Sequence, residues 1–188
     1  GIGSAILTAA NTYSGTTTIS AGTLQIGAGS TTGTLGTGSV VDNGSLAFNR
    51  SDSLNVANQI SGTGNLLQNG SGTTILSNSS ANTYSGTTTI SAGTLQVGAG
   101  STAGTLGTGS VVDNGSLAFN RSDSLSVANQ ISGTGNLLQN GIGTAILTAA
   151  NTYSGITTIS AGTLQVGAGS TAGTLGTGNV VNNSSLAF

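Results

Sequence analysis

Short runs of alternating apolar and polar residues, separated by glycine and asparagine, recur along the chain. Residues 23–26 (TLQI), 45–48 (SLAF) and 73–77 (TTILS) show this period-two pattern and are typical of β-strands. Pairs that favour turns, such as Ala21-Gly22 and Asn43-Gly44, stand between the runs. No window shows helical spacing, and glycine is too frequent for a helix interior. The pattern therefore predicts an all-β chain.

A long internal repeat organises these runs. The motif NTYSG begins at Asn11, Asn82 and Asn151, which gives spacings of 71 and 69 residues. The two-residue difference is confined to one polar stretch, which we place on a surface loop. Copies this similar need equivalent surroundings, and stacking along an axis provides them whereas a single closed core does not. The sequence predicts one continuous solenoid with copy 1 at 1–69, copy 2 at 70–140 and a partial copy 3 at 141–188.

Two all-β architectures compete for this pattern. Asn43-Gly44 between alternating runs is a strong hairpin signal, which favours an array of antiparallel hairpins. The same pair also suits a corner between two sheets of a parallel β-helix, with glycine in a left-handed conformation. About three units fit in each copy, which matches the size of β-helix coils. We favour the β-solenoid, with about eight coils, Thr23 and Gln25 outward, and an inward column of Leu24, Leu46 and Leu66.

The composition removes most catalytic and ligand-binding classes. The 188 residues include two Lys or Arg, four Asp or Glu, and no His or Cys. His and Cys supply the usual general base, thiolate nucleophile and zinc ligands, so we expect no catalytic residue, no cofactor-binding residue and no metal site. A net charge of −2 leaves too few cations to neutralise many phosphates, which argues against nucleic acid as a partner.

The charged side chains form two sets that are 71 residues apart. Paired carboxylates on a β-helix face are typical of glycosidases, and adjacent coils would bring two Asp residues together. The duplication argues against a single catalytic cleft, and copy 3 carries Asn182 in place of an Asp. We favour local ion pairs that fix an exposed loop and contribute at most about 1 kcal/mol each. The sets are Asp42, Arg50 and Asp52, and Asp113, Arg121 and Asp123.

Calcium is a weaker hypothesis for the same residues. The neighbouring Asp42 and Asn43 supply too few oxygens for a cage that needs six to eight. The glycine- and aspartate-rich nonapeptide of calcium-binding solenoids does not occur in this sequence. We therefore expect Asn43 to serve turn geometry or hydrogen bonding along the stack.

The threonine triplets at 16–18 and 87–89, with the pair at 157–158, raise an ice-binding hypothesis. Such a face needs outward threonine on every coil, about 4.8 Å apart. The triplets recur on about one coil in three, and Ile156 breaks the third one. Strand propensity is the better explanation for these threonines.

Each copy carries one tyrosine and one phenylalanine, which is too sparse for a carbohydrate-binding strip of rings. Phe48 is in phase with Leu46, so we predict that it packs in the core. Tyr13, in the first NTYSG motif, is predicted to cover a corner, with its hydroxyl reaching water or backbone. The six aromatic residues are Tyr13, Tyr84, Tyr153, Phe48, Phe119 and Phe188.

The motifs NTYSGTTTISAGTLQIG, GTLGTGSVV, NGSLAFNRSDSL and ISGTGNLLQNGSGTTILS resemble the autotransporter-associated β-strand repeat, found in passengers of large Gram-negative autotransporters and surface adhesins. The resemblance covers essentially the whole chain. It implies a right-handed parallel β-helix on the outer cell surface, exported by a C-terminal outer-membrane barrel in the parent protein. Neither the barrel nor a signal peptide is in this sequence, so we expect the chain to be an excerpt of a longer array.

Three functions are compatible with this description. The first is a non-catalytic structural stalk or passenger segment of a cell-surface adhesin. In the second, the repeats are themselves an adhesive or self-associating surface that pairs end to end or side by side, as in biofilms or fibres, or binds a host or cell-surface ligand. The third is remote, a polysaccharide enzyme of the pectin-lyase type or an ice-binding solenoid.

Overall fold

The computed structural model describes residues 1–169 and 172–188, and strands are the regular elements of that part of the chain. It contains no helix there that could span a membrane. The strands are β1 (Ser4–Leu7), β2 (Thr17–Ile19), β3 (Thr23–Ser30), β4 (Val40–Asp42), β5 (Ser45–Arg50), β6 (Ser53–Val56), β7 (Ile60–Ser61), β8 (Asn65–Gln68), β9 (Thr73–Leu76), β10 (Thr88–Ile90), β11 (Thr94–Ser101), β12 (Val111–Asp113), β13 (Ser116–Arg121), β14 (Ser124–Val127), β15 (Ile131–Ser132), β16 (Asn136–Gln139), β17 (Thr144–Leu147), β18 (Thr157–Ile159), β19 (Thr163–Val166), β20 (Val180–Asn182) and β21 (Ser185–Ala187).

Each strand pairs in parallel with the strand about one coil further along the chain. Leu24 lies opposite Leu46, and Leu46 lies opposite Leu66, so the predicted column is present. Strands β4 and β5, which flank Asn43-Gly44, lie in different sheets and do not form a hairpin. The β-solenoid is therefore confirmed, and the antiparallel hairpin array is wrong.

The coils form three faces. Face 1 is the sheet β1-β3-β5-β8-β10-β12-β15, and face 2 is the sheet that runs from β6 to β20. Face 3 starts with β2-β4-β7 and ends with β14-β17-β19-β21. Its two sheets are bridged by residues 82–84 and 105–107, because Thr83 N–H donates to Ile60 O at 2.9 Å and Asn82 Nδ2 donates to Thr105 O at 2.7 Å. The described residues make about nine turns, one more than predicted.

The sequence repeat does not correspond to a whole number of coils. One repeat contributes eight strands, β9 to β16, and two irregular segments at 82–84 and 105–107. Ten segments on three faces make three and one-third coils, rather than the three we expected. Equivalent strands therefore occupy successive faces: β3 lies on face 1, β11 on face 2 and β19 on face 3. Each sequence repeat is therefore rotated about the solenoid axis by one face, a third of a turn, relative to the repeat before it.

Burial alternates along strands such as β8, β9, β16 and β17, and it places apolar side chains inside the coils. Leu46, Phe48 and Leu66 are fully buried, and Leu24 packs partly buried against the same cluster in the second coil. Thr23 and Gln25 point away from this column but are half-buried, since Gln25 Nε2 donates to Gly27 O at 2.8 Å. The core is therefore a continuous apolar cluster along the axis.

Candidate functional site

The structure separates the carboxylates that a glycosidase would need to pair. Asp42 ends β4 and lies at the corner between faces 3 and 1, whereas Asp52 lies between β5 and β6, at the corner between faces 1 and 2. Asp42 is 1% exposed, while the Asp52 side chain is 36% exposed. Among the described residues, no group of three or more His, Cys, Asp or Glu is placed to hold a metal ion.

Arg50 and Asp52 form a two-pronged ion pair. Arg50 Nε donates to Asp52 Oδ1 at 2.8 Å, and Nη2 donates to Oδ2 at 2.7 Å. The hydrogen bond from Arg50 is the largest cause that lowers the pKa of the Asp52 carboxyl. Arg121 and Asp123 repeat this geometry.

The same guanidinium also anchors residues 27–33, which include the end of β3 and the exposed turn after it, and which we call the corner loop. Arg50 Nη1 donates to Gly33 O and Nη2 donates to Thr31 O, both at 2.6 Å. The Arg50 side chain is 10% exposed, although the tip of the loop lies in solvent. A buried cation that satisfies loop carbonyls contributes more than the roughly 1 kcal/mol of a surface pair. The Arg50–Asp52 ion pair is present, and the same arginine holds the corner loop through two of its carbonyls.

Asp42 and Asp113 are buried carboxyls that accept hydrogen bonds from the backbone of the corner that follows them in the chain. Asp113 Oδ1 accepts from Gly115 N–H at 3.0 Å, and Oδ2 accepts from Leu117 N–H at 3.1 Å. Asp42 Oδ1 accepts from Gly44 N–H at 3.0 Å, but its Oδ2 has no hydrogen-bond partner. Burial raises the pKa of both carboxyls, and the pKa of Asp113 rises to about 6.

The threonine triplets do not present flat outward ranks. Thr88 and Thr157, the inward threonines of their strands, are buried. Their hydroxyls hydrogen-bond the phenol oxygens of Tyr84 and Tyr153 at 2.8 and 2.7 Å. Each of these two sets therefore gives one threonine to the interior and does not form an outward rank of three.

The aromatic rings lie mainly inside the solenoid. Phe48 is in the core, as predicted, and Phe119 is buried in the same way. Tyr13 in the first coil is 39% exposed, and its hydroxyl hydrogen-bonds the Thr17 hydroxyl at 2.7 Å rather than the backbone. Its counterparts Tyr84 and Tyr153 are fully buried, and Phe188 is 88% exposed.

A glycine explains how each tyrosine fits inside. A Cβ on Gly107 would lie 2.2 Å from Tyr84 O and 2.6 Å from its ring carbon Cδ2. Gly36 and Gly176 have the same relation to Tyr13 and Tyr153. The signal is present in the sequence, since a threonine follows each tyrosine by four residues and this glycine follows it by 23. The tyrosine, threonine and glycine indicate a buried site only when they are considered together.

Two equivalent shallow pockets lie where the sheet is interrupted. Each lies between an irregular segment and the strand of the next coil, with volumes of about 230 Å³ at residues 34–58 and about 220 Å³ at 105–129. The lining is mainly apolar and includes Leu35 and Leu54. Asn58 Nδ2 links the two coils there by donating to Gly36 O at 2.8 Å and Gly38 O at 2.6 Å. No titratable side chain lines either pocket.

Comparison with known proteins gives two matches. The passenger-associated-transport-repeat family model matches residues 1–26, 66–97 and 137–166. The adhesin BmaC autotransporter of Brucella suis biovar 1 (strain 1330) is 41% identical over 185 residues, which cover 89% of this chain and 5% of that protein. No solved structure matches.

The three family matches agree with the repeat and with the fold. Each one ends in the strand that carries the TLQ motif, in β3, β11 and β19, and the second and third matches begin four residues before copies 2 and 3. The chain spans about 5% of the length of the curated relative. The chain therefore carries passenger-associated transport repeats, and these matches support an autotransporter passenger repeat.

Proposed function

We propose that this chain is a non-catalytic structural segment of a Gram-negative autotransporter adhesin, exposed at the outer cell surface. The observation that carries the proposal is the continuous parallel ladder, which makes a rod of about nine turns without a shared carboxylate cleft among the described residues. The similarity to an autotransporter adhesin supports the location and a C-terminal barrel in the parent protein. In this role the repeats add length between the membrane and a distal part.

The test is to change the number of repeats in the parent passenger. Each repeat adds three and one-third coils, or about 16 Å at the strand spacing of a sheet. We expect removal of two repeats to shorten the passenger by about 32 Å in electron micrographs. Adhesion should then fall in proportion to reach, and an unrelated solenoid of equal length should restore it. If the solenoid of equal length does not restore adhesion, the proposal that the repeats act as a stalk is contradicted.

The corner loops favour a second candidate, in which the repeats are themselves the adhesive surface. The loops at 27–33 and 98–104 are exposed at their tips, uncharged and held by buried Arg50 and Arg121. A tip substitution such as Thr31→Ala separates the two candidates, because it leaves rod length unchanged. Adhesion that falls with this variant, in every repeat that carries the loop, would favour the second candidate.

A further inference from the structure

Asp42 and Asp113 lie inside the wall of the rod. They are 1% and 0% exposed. The next coil closes over each carboxyl with a glycine, because a Cβ on Gly64 would lie 2.4 Å from Asp42 Cγ and a Cβ on Gly135 would lie 2.3 Å from Asp113 Oδ1. A carboxyl in this position is removed from water, which penalises its charged form.

No cation compensates this burial. Arg50 and Arg121 are the two cationic side chains of the sequence, and each is committed to its own Asp and to loop carbonyls. The coil before Asp42 supplies Ile19, and the coil after it supplies Ser61 and the glycine corner.

The titratable groups within electrostatic range of these carboxyls are phenols. Besides burial, the charge of Asp42 contributes to a raised pKa of Tyr84, and the charge of Asp113 contributes to a raised pKa of Tyr153. Burial raises the pKa of both phenols, so they stay neutral through the physiological range and add no charge.

The hydrogen bonds around Asp42 are fewer than a carboxylate needs. Its Oδ2 has no partner, since the Leu46 N–H faces it without reaching hydrogen-bond geometry. A carboxylate is stabilised by several donors, and one left without them inside a protein is costly. A proton on this oxygen removes the charge and most of that cost.

A neutral residue serves the same corner elsewhere in the chain. Asn182 ends β20 at the position that corresponds to Asp42 and Asp113, and its Oδ1 accepts from Ser184 N–H at 3.2 Å. The bond to the residue two positions later, which Asp42 makes with Gly44, is therefore retained without a charge. Asn182 is exposed, unlike the two Asp side chains, but it shows that the turn itself forms with a neutral acceptor oxygen.

We propose that Asp42 and Asp113 take up protons in the folded rod at mildly acidic pH, so that acid stabilises the passenger and neutral pH weakens it. The raised pKa values support this direction. A folded-state pKa above the unfolded value means that stability is full below pH 3.8 and is lost as pH rises through about 6 for Asp113. A pKa near 6 in the folded rod, against 3.8 in the unfolded chain, lets Asp113 alone change the unfolding equilibrium by about 100-fold across this window.

The two exposed carboxylates act in a different pH range. Hydrogen bonding to arginine lowers the pKa of Asp52 and Asp123, so their contribution is present above the unfolded value of 3.8 and is lost as pH falls below it. The acid stabilisation between about pH 4 and 7 therefore belongs to the buried pair.

The experiment measures urea unfolding of the 188-residue chain at several pH values from about 4.5 to 8. We expect the wild type to become less stable toward the alkaline end and the variant Asp42→Asn with Asp113→Asn to be nearly independent of pH. The two should converge near the acidic end, and the variant should be more stable at about pH 7.5. The matched control, Asp52→Asn with Asp123→Asn, should keep the wild-type slope.

Two results would overturn the proposal. One is a double variant with the wild-type pH profile, or one that is less stable than wild type at about pH 7.5. The second measurement needs no variant: carboxyl ¹³C NMR of the folded wild type should show a titration above about pH 5. Four carboxyls that all titrate below about pH 4.5 would refute the proposal directly.

Discussion

Substitution of Ala145 by threonine should stabilise the rod, because it supplies a hydrogen-bond donor that one copy has and another lacks. Where copy 1 meets copy 2, Thr74 Oγ1 donates to Gln68 Oε1 at 2.7 Å, and both side chains are buried. Where copy 2 meets copy 3, the corresponding pair is Ala145 and Gln139, and Gln139 Oε1 is buried without a partner. Gln139 and Ala145 also line a small void.

The expected gain in stability follows from the unpaired acceptor oxygen of Gln139. A buried polar atom without a partner costs about 1–3 kcal/mol, and the hydrogen bond that replaces it contributes about 1 kcal/mol net. The methyl of threonine adds up to about 0.8 kcal/mol where it fills empty space. We therefore expect Ala145→Thr to raise the free energy of unfolding by about 1–2 kcal/mol, and Thr74→Ala to lower it by about 1–3 kcal/mol.

Urea unfolding of the full chain provides the measurement, with amide exchange of Gln139 and Ala145 as a local readout. The control is Ala145→Val, which has nearly the shape of threonine but carries no hydroxyl. Threonine should exceed valine by the value of the hydrogen bond. A threonine variant no more stable than the valine variant would show that the empty space, and not the unpaired oxygen, determines the local stability.

Three further substitutions test the core, the loop anchor and the tyrosine site. Leu46→Ala should cost about 2–5 kcal/mol as a fully buried truncation, measured by urea unfolding. Arg50→Ala should cost more than the roughly 1 kcal/mol of a surface pair and should make the corner loop the first site of limited proteolysis; a variant as protease-resistant as wild type would contradict the anchor. Gly107→Ala should destabilise by several kcal/mol because its Cβ would overlap Tyr84, whereas Gly15→Ala, whose Cβ would meet nothing within 4 Å, should cost less.

The repeat and the alternating pattern were sufficient to predict the parallel solenoid and its leucine column. They were not sufficient to predict the number of coils. Residues 82–84 and 105–107 each form a segment of a face, but their sequences lack the period-two alternation that indicates a strand. Their hydrogen bonds are nevertheless those of a coil, as in the bond from Thr108 N–H to Tyr84 O at 2.9 Å. Segments that stack through irregular backbone carry no periodic signal in the sequence.

The chemistry at the corners was predicted in part. The Arg50–Asp52 pair could be anticipated from its spacing, but the burial of the guanidinium depends on a loop that returns from 17 residues earlier. The burial of Asp42 depends on Gly64, which lies one coil further along the chain. These contacts join residues about one coil apart, and a local pattern cannot reveal them.

The turn of one face per repeat links the length of an array to its direction. Adding or removing a repeat moves everything beyond it by about 16 Å and also rotates it by a third of a turn about the axis. Three repeats, or ten coils, are needed before a distal part faces its original side, about 48 Å further along. The two-residue difference between copies does not alter this, since β1, β9 and β17 still occupy successive faces. Recombination between near-identical repeats would therefore change the direction in which the distal part of the passenger faces each time it changed the length of the rod.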